Sequence, residues 1–167
     1  MAVIETERLI LKLYEEKDRG DFVGLLTDER VMKYVDKGVM SVDAAGALWE
    51  KMMEWYGRGV NTIWAVFSKD DDSYVGNASI RPRPEKRSDW EIGYYLVTGA
   101  WGRGFGSELA KRLIEYGFED LGLDAVFATV DYENLPSRRI LEKSGMSFCE
   151  ELADEQGPFC LYRVDRS

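Results

Sequence analysis

Apolar and polar positions follow two different periods along the 167-residue chain, and each change of period marks an element. The alternation in TERLILKL predicts an opening strand over residues 6–13, since successive strand side chains face opposite sides. Between residues 18 and 34 the apolar positions Phe22, Leu25, Leu26, Val31 and Met32 take helical spacing, which predicts a helix there. A second helix is expected over 42–56, with Ser41 as its N-cap and Gly57 and Gly59 ending it. The period then returns to two. Strands over 62–68 and 74–81 flank the polar turn KDDD and read as a hairpin, and a strand over 89–97 follows the connection RPRPEKRS. A helix over 104–121, a strand over 125–130, a helix over 136–144 stopped by Gly145, and strands over 147–152 and 159–164 complete the pattern. A strand, helix and strand in succession imply a parallel crossover, and the hairpins imply antiparallel pairing. The expected fold class is therefore α+β, a mixed sheet of about seven strands with about four helices, in one domain over residues 1–167.

The segment between the strand at 89–97 and the following helix carries the most chemical information. It reads Leu96-Val97-Thr98-Gly99-Ala100-Trp101-Gly102-Arg103-Gly104-Phe105-Gly106-Ser107, with four glycines between residues 99 and 106. Glycines bring the main chain close to a ligand, and a helix start offers unpaired N–H groups with partial positive charge, so the segment is a candidate diphosphate cradle. The triphosphate loop is excluded because Phe105 follows Gly104 and no Gly-Lys-Ser/Thr occurs in the chain. The dinucleotide fingerprint is excluded because its third glycine would fall at Ser107 or Leu109.

The loop WGRGFG resembles the pyrophosphate loop of the GNAT acetyltransferase superfamily, Arg/Gln-x-x-Gly-x-Gly/Ala, through Gly104 and Gly106. Trp101 departs from the usual Arg or Gln and is similar to the aromatic residue of the ribosomal-protein N-terminal (alanine/serine) type. TERL near the start, WEIGYYL in the fourth predicted strand and NLPSRRILEKSGM after the fifth extend the resemblance across nearly the whole chain. It implies that the fourth and fifth strands are a parallel pair that splays apart, at 93–97 and 130–132, to admit a cofactor arm. It further implies acetyl-CoA as co-substrate, held by main-chain groups of Leu96 and Val97, by the loop Trp101, Gly102, Arg103, Gly104, Phe105, Gly106 and Ser107, and by Asn134, with Arg139 as a candidate phosphate contact. Direct transfer of the acetyl group to a primary amine in a ternary complex follows from the same likeness.

That reaction needs a neutral amine and a departing thiolate. Glu91 matches the position where the family often carries its base or a water-holding carboxylate, and its plain alternative is a strand residue facing solvent. Asp131 and Glu133 offer a water-mediated route for the same proton. Ser137 matches the serine proposed as general acid in the ribosomal type, and Tyr132 is the alternative acid. Asn134 and Ser137 also suit purely local roles, the first as a helix N-cap ahead of Pro136, the second bonded to nearby backbone.

Composition narrows the remaining classes. Histidine is absent, which removes Ser-His-Asp and Cys-His arrangements and His-ligated metals, and no metal is expected. Asp70-Asp71-Asp72 lacks the spacing of a calcium loop and reads as a solvated turn. The net charge of −9 argues against a nucleic-acid partner and suits a cationic one. Without a signal-peptide core or a membrane-length apolar run, a cytoplasmic location away from membranes is expected. Cys149 and Cys160 read as reduced packing residues. Trp49, Trp55 and Tyr56, at helical spacing, read as core. The acceptor is left open between a protein N-terminus and a small-molecule amine, and the oligomeric state between monomer and homodimer. A non-catalytic acyl-CoA-binding regulatory module is the alternative to an enzyme.

Overall fold

The computed structural model describes residues 3–35 and 38–167. Their elements are β1 (Ile4–Glu5), β2 (Leu9–Lys12), α1 (Arg19–Leu26), α2 (Val42–Gly57), β3 (Ile63–Ser68), β4 (Tyr74–Pro82), β5 (Trp90–Leu96), α3 (Phe105–Glu119), β6 (Ala125–Asp131), α4 (Leu135–Lys143), β7 (Ser147–Asp154) and β8 (Gly157–Asp165). The sheet order is β1-β2-β3-β4-β5-β6-β8-β7, with β5 and β6 parallel and β6/β8 and β7/β8 antiparallel. This is the expected mixed α+β class with one more strand, so the fourth and fifth strands of the sequence pattern are β5 and β6. The chain forms two compact units, Met1–Ala78 with Tyr95–Trp101, and Ser79–Tyr94 with Gly102–Ser167.

In the first unit, the predicted strand over 6–13 is divided. The Thr6 N–H donates to Leu9 O at 2.9 Å, and Thr6 Oγ1 accepts from the Leu9 N–H at 2.9 Å. A threonine that turns the chain with its own side chain ends one strand and starts the next, leaving β1 paired antiparallel to β2. The predicted helix over 18–34 is also shorter, because α1 stops at Leu26. Thr27 Oγ1 donates to Val23 O at 2.8 Å and Asp28 Oδ1 accepts from the Arg30 N–H at 2.9 Å, which takes the backbone out of the helical path. Met32 is nonetheless buried, so the helical spacing reported burial rather than helix. Ser41 caps α2 through the Ala44 N–H at 3.0 Å. Ala45, Trp49 and Met52, at intervals of four and three, turn one face of α2 into a core shared with Tyr14, Phe22, Leu26, Ala65 and Phe67. Gly76 has φ 155°, and a Cβ there would lie 2.0 Å from Tyr95 O, so only glycine fits this crossing of β4 and β5.

In the second unit α3 buries Phe105, Leu109, Ala110, Leu113, Ile114 and Gly117. A Cβ on Gly117 would stand 2.8 Å from Val126 Cγ2, so the glycine lets α3 sit close on β6. β8 pairs with β6 from Ala125↔Asp165 to Asp131↔Phe159 and with β7 across a bulge between Phe148 and Glu150. Cys149 at that bulge is exposed, Cys160 is buried, and both are free thiols.

Candidate active site

The second unit holds Gly102–Gly106 of the glycine loop, the start of α4, Glu91 and Tyr94. Gly102 and Gly104 have φ of 73° and 80°, a conformation that other L residues adopt with strain. Gly104 is the N-cap of α3 and supplies no side-chain cap. The starts of α2 and α4 are closed by the side chains of Ser41 and Asn134. At α3 no side-chain cap closes the first turn, and a Cβ on Gly102 would meet nothing within 4 Å. A phosphate oxygen suits such a turn in both charge and hydrogen bonding. Gly106 has a different reason to be glycine, since a Cβ there would lie 2.8 Å from Ile140 Cδ1 on α4. The Arg103 guanidinium lies over the ring of buried Phe105, 4.6 Å from its centroid.

The short helix α4 starts one residue earlier than its spacing suggests because Asn134 closes it. Asn134 Oδ1 accepts from the Ser137 N–H at 3.2 Å, and Pro136 occupies the first turn. The local reading of Asn134 is therefore present in the structure. Ser137 is half-buried, whereas Arg139 is exposed. Tyr132 is exposed, its carbonyl accepts from Arg138 Nη1 at 3.0 Å, and the Arg138 guanidinium lies 5.1 Å from its ring centroid. Arg138 also donates to the Tyr162 hydroxyl at 3.2 Å, which donates in turn to Glu142 Oε1 at 3.0 Å. This network ties α4 to β8. Asp131 Oδ1 accepts from the Glu133 N–H at 2.8 Å, so that carboxylate shapes the turn before α4.

Glu91 registers with Phe127, the parallel contact of β5 with β6. The Glu91 side chain is only 13% exposed, so the reading of a strand residue facing solvent does not hold. Its Oε1 lies 3.9 Å from Arg81 Nε and its Oε2 3.9 Å from Arg83 Nε. Arg83 is itself buried, with its guanidinium 5.5 Å from the Phe127 ring centroid. At 3.9 Å these are charge contacts rather than hydrogen bonds.

Tyr94 was not singled out by the sequence reading. Its hydroxyl is shielded from solvent, although its ring is partly exposed. Burial pushes its pKa up to about 12, and hydrogen bonding with Ser137 opposes that rise. Strand parity was the available signal, since Tyr94 shares the face of buried Ile92, opposite Glu91 and Gly93.

Leu96, Val97 and Trp101 belong to the first unit. The Trp101 indole, half exposed, donates to Leu96 O at 3.0 Å. The Val97 N–H donates to Val75 O at 2.9 Å, and Val97 O accepts from the Ala100 N–H at 2.9 Å. The same unit holds a buried phenol pair, Tyr14 and Tyr74, with oxygens 2.7 Å apart and Asn77 Nδ2 donating to Tyr14 at 3.0 Å. Burial raises both phenol pKa values and lifts that of Tyr56 to about 12. Trp49 is fully buried among these rings, as core. No group of three or more potential metal-ligating side chains is found among the described residues, and no helix there is long and apolar enough to cross a membrane.

Residues 8–147 match the model of the Acetyltransferase (GNAT) domain. The uncharacterized N-acetyltransferase YnaD of Bacillus subtilis (strain 168) is 31% identical over 144 residues, 86% of this chain and 81% of that protein. The crystal structure of a GNAT-family acetyltransferase from Bacillus anthracis superposes with a TM-score of 0.84, at 25% identity and 98% coverage of both chains. Two more distant structures share the fold. A Vibrio cholerae spermidine N-acetyltransferase in complex with CoA and spermine has a TM-score of 0.80 at 18% identity, covering 94% of this chain and 95% of that one. A ribosomal L7/L12 α-N-protein acetyltransferase in complex with coenzyme A has a TM-score of 0.81 at 14% identity and 98% coverage of both.

Proposed function

The chain belongs to the GNAT acetyltransferase family, and on that premise we propose that it passes the acetyl group of acetyl-CoA directly to a primary amine in a ternary complex. The observation that carries the reading is the start of α3, opened by left-handed Gly104 and left without a side-chain cap. In this reading the N–H groups of Phe105, Gly106 and Ser107 receive the diphosphate, and Arg103 and Arg139 add positive charge beside it. Leu96, with the Trp101 indole bonded to its carbonyl, lends its main chain to the cofactor arm, whereas the Val97 N–H expected to join it is already taken by Val75 O. Asn134 both caps α4 and contacts that arm. Acetyl-CoA, when bound, supplies an acyl group activated as a thioester.

Glu91 accepts the amine proton through water. An N-terminal amine is neutral in about one molecule in ten at pH 7, a lysine-like amine in about one in 2,500, so the second class depends more on that base. Ser137 faces the sulfur and donates a hydrogen bond as the thiolate leaves. We favour Ser137 over Tyr132 because the Tyr132 ring is exposed and stacked with Arg138. The acceptor is a protein N-terminus or a small amine. Proteins of this fold whose names carry each class of acceptor, spermidine and a ribosomal protein, support that range. The whole chain works as one domain in the cytoplasm.

The contacts of both Glu91 oxygens with guanidinium groups favour a second reading, in which Glu91 is structural and the chain binds acyl-CoA without transferring it. Titrations of acetyl-CoA, free CoA, ATP and NAD, followed by thiol release with a polyamine and with peptide N-termini, test both. Selective CoA binding with amine-dependent thiol release supports transfer. CoA binding without release for any amine supports the second reading, and no CoA binding overturns both.

A further inference from the structure

We propose that Arg83 is a positioning residue for Glu91: its buried guanidinium, laid on the Phe127 ring, holds the Glu91 carboxylate in place as an anion to receive the proton of the acceptor amine. The inference rests on the reading of Glu91 as the base of acetyl transfer. Arg83 lies just past the end of β4, in the connection to β5. Its N–H donates to Asp89 O at 2.8 Å, which folds that connection back onto the start of β5. The Arg83 side chain is 8% exposed, its guanidinium stands 5.5 Å from the Phe127 ring centroid, and Phe127 is the residue in register with Glu91. Strand pairing and ring stacking together bring the guanidinium to the carboxylate.

Arg83 Nε is shielded from solvent and has no hydrogen-bond partner. Glu91 Oε2 lies 3.9 Å from it, about 1 Å beyond bonding distance. A buried ion pair repays its desolvation only through good hydrogen-bond geometry, which this one lacks, so stability does not account for it. Its charge is what Glu91 feels. Arg81 Nε is also 3.9 Å from Glu91, at Oε1, but that side chain is 53% exposed and water screens it. Glu85, 3.8 Å from Arg83, is exposed as well. Arg163 stands over the Phe127 ring at 5.3 Å and is paired with Asp165 at 2.7 Å, while Asp89 is paired with Lys86 at 3.3 Å. Burial works against an ionised carboxylate and an adjacent cation works for it, so Arg83 keeps a shielded Glu91 ready to take a proton. During transfer the amine lone pair forms the bond to the acetyl carbon, and the carbon–sulfur pair leaves with the thiolate. The amine proton passes through water to a Glu91 oxygen and on to solvent, and Arg83 gives up none of its own.

The test follows kcat/KM against pH with spermidine and with an alanine-initiated peptide, and acetyl-CoA affinity by calorimetry. Arg83→Met keeps the length and removes the charge, and should move the acid limb of the profile up by about 1 pH unit or more. Arg83→Lys should stay within about half a pH unit of the wild type, because the contact is one of charge and not of paired hydrogen bonds. Arg81→Met should also move the limb by less than about half a pH unit. Acetyl-CoA affinity should hold within about twofold throughout, and the double variant of Arg83→Met with Glu91→Gln should be no slower than Glu91→Gln alone. Phe127→Leu keeps every charge and removes the ring under the guanidinium, so it should move the limb in the same direction by less. That variant carries the test if Arg83→Met does not fold. An unmoved limb in folded Arg83→Met, or in Phe127→Leu where Arg83→Met does not fold, overturns the proposal, as do losses that multiply in the double variant. Wild-type turnover in Glu91→Gln, or no thiol release by the wild type with either acceptor, overturns the underlying reading as well, and neither result can come from Arg83 alone.

Discussion

Gly104 carries two separable burdens, a left-handed backbone at φ 80° and the absence of a side chain at the mouth of α3. Gly104→Ala and Gly104→Glu impose the same backbone strain, about 1 kcal/mol for an L residue at positive φ. Both variants should therefore melt about 3 °C lower than the wild type, the shift expected for that loss in a chain of this size. Their effects on cofactor binding differ. Alanine leaves the first-turn N–H groups in place, whereas glutamate sets a negative charge where the diphosphate is expected. At about 4 Å two like charges repel by roughly 1 kcal/mol in water and up to about 4 kcal/mol near a protein surface. Even the lower figure, counted for each of two phosphate charges, weakens binding about thirtyfold. Calorimetric titration of acetyl-CoA at low salt should show Gly104→Glu at least tenfold weaker than Gly104→Ala. About 0.5 M NaCl should recover part of the difference, as screening shortens the reach of the charge. Equal affinities for the two variants, or a difference indifferent to salt, would refute the diphosphate cradle at α3.

Three further outcomes follow from the geometry. Gly76→Ala drives a Cβ to 2.0 Å from a backbone carbonyl and should cost at least about 3 kcal/mol, whereas Gly24→Ala, with nothing within 4 Å, should raise the melting temperature by about 2 °C through helix propensity. Calorimetry on the pair decides whether space, rather than glycine content, governs these sites. The phenols of Tyr56 and Tyr94, raised to about 12 in the fold against about 10 when unfolded, stabilise the chain fully below pH 10. That contribution is lost as pH climbs toward 12, so the melting temperature should hold from pH 7 to 9 and fall above 10. Titration of all nine tyrosines near pH 10 in the folded chain, read by phenolate absorbance, would contradict the burial argument. A thiol reagent should modify Cys149 rapidly and leave Cys160 unreacted until denaturant is added, and immediate reaction of both would contradict the β7–β8 register.

The features legible in the sequence are those whose causes lie within a few residues of one another. Ser41 and Asn134 cap their helices through N–H groups three positions on, and the left-handed glycines of the loop open α3 where their spacing indicates. Where a local signal had two explanations, the reading failed. Thr6 divided an apparent strand, and Thr27 with Asp28 ended a helix whose apolar spacing continued to Met32. Both errors share a cause, for hydrophobic periodicity reports which side chains are buried and not which backbone buries them.

The sequence by itself determined the alternation of elements, the exclusion of histidine chemistry and the glycine-opened turn before α3. Tertiary structure alone decided the rest. Gly76 is required by Tyr95, nineteen residues away, and Gly106 by Ile140 on a different helix. Glu91 lies near Arg81 at the end of β4 and Arg83 just beyond it, and the Tyr94 hydroxyl meets Ser137 on α4. Each of these depends on which strands become neighbours. That choice is made by burial of the whole core, so no window of sequence short enough to read by period contains it.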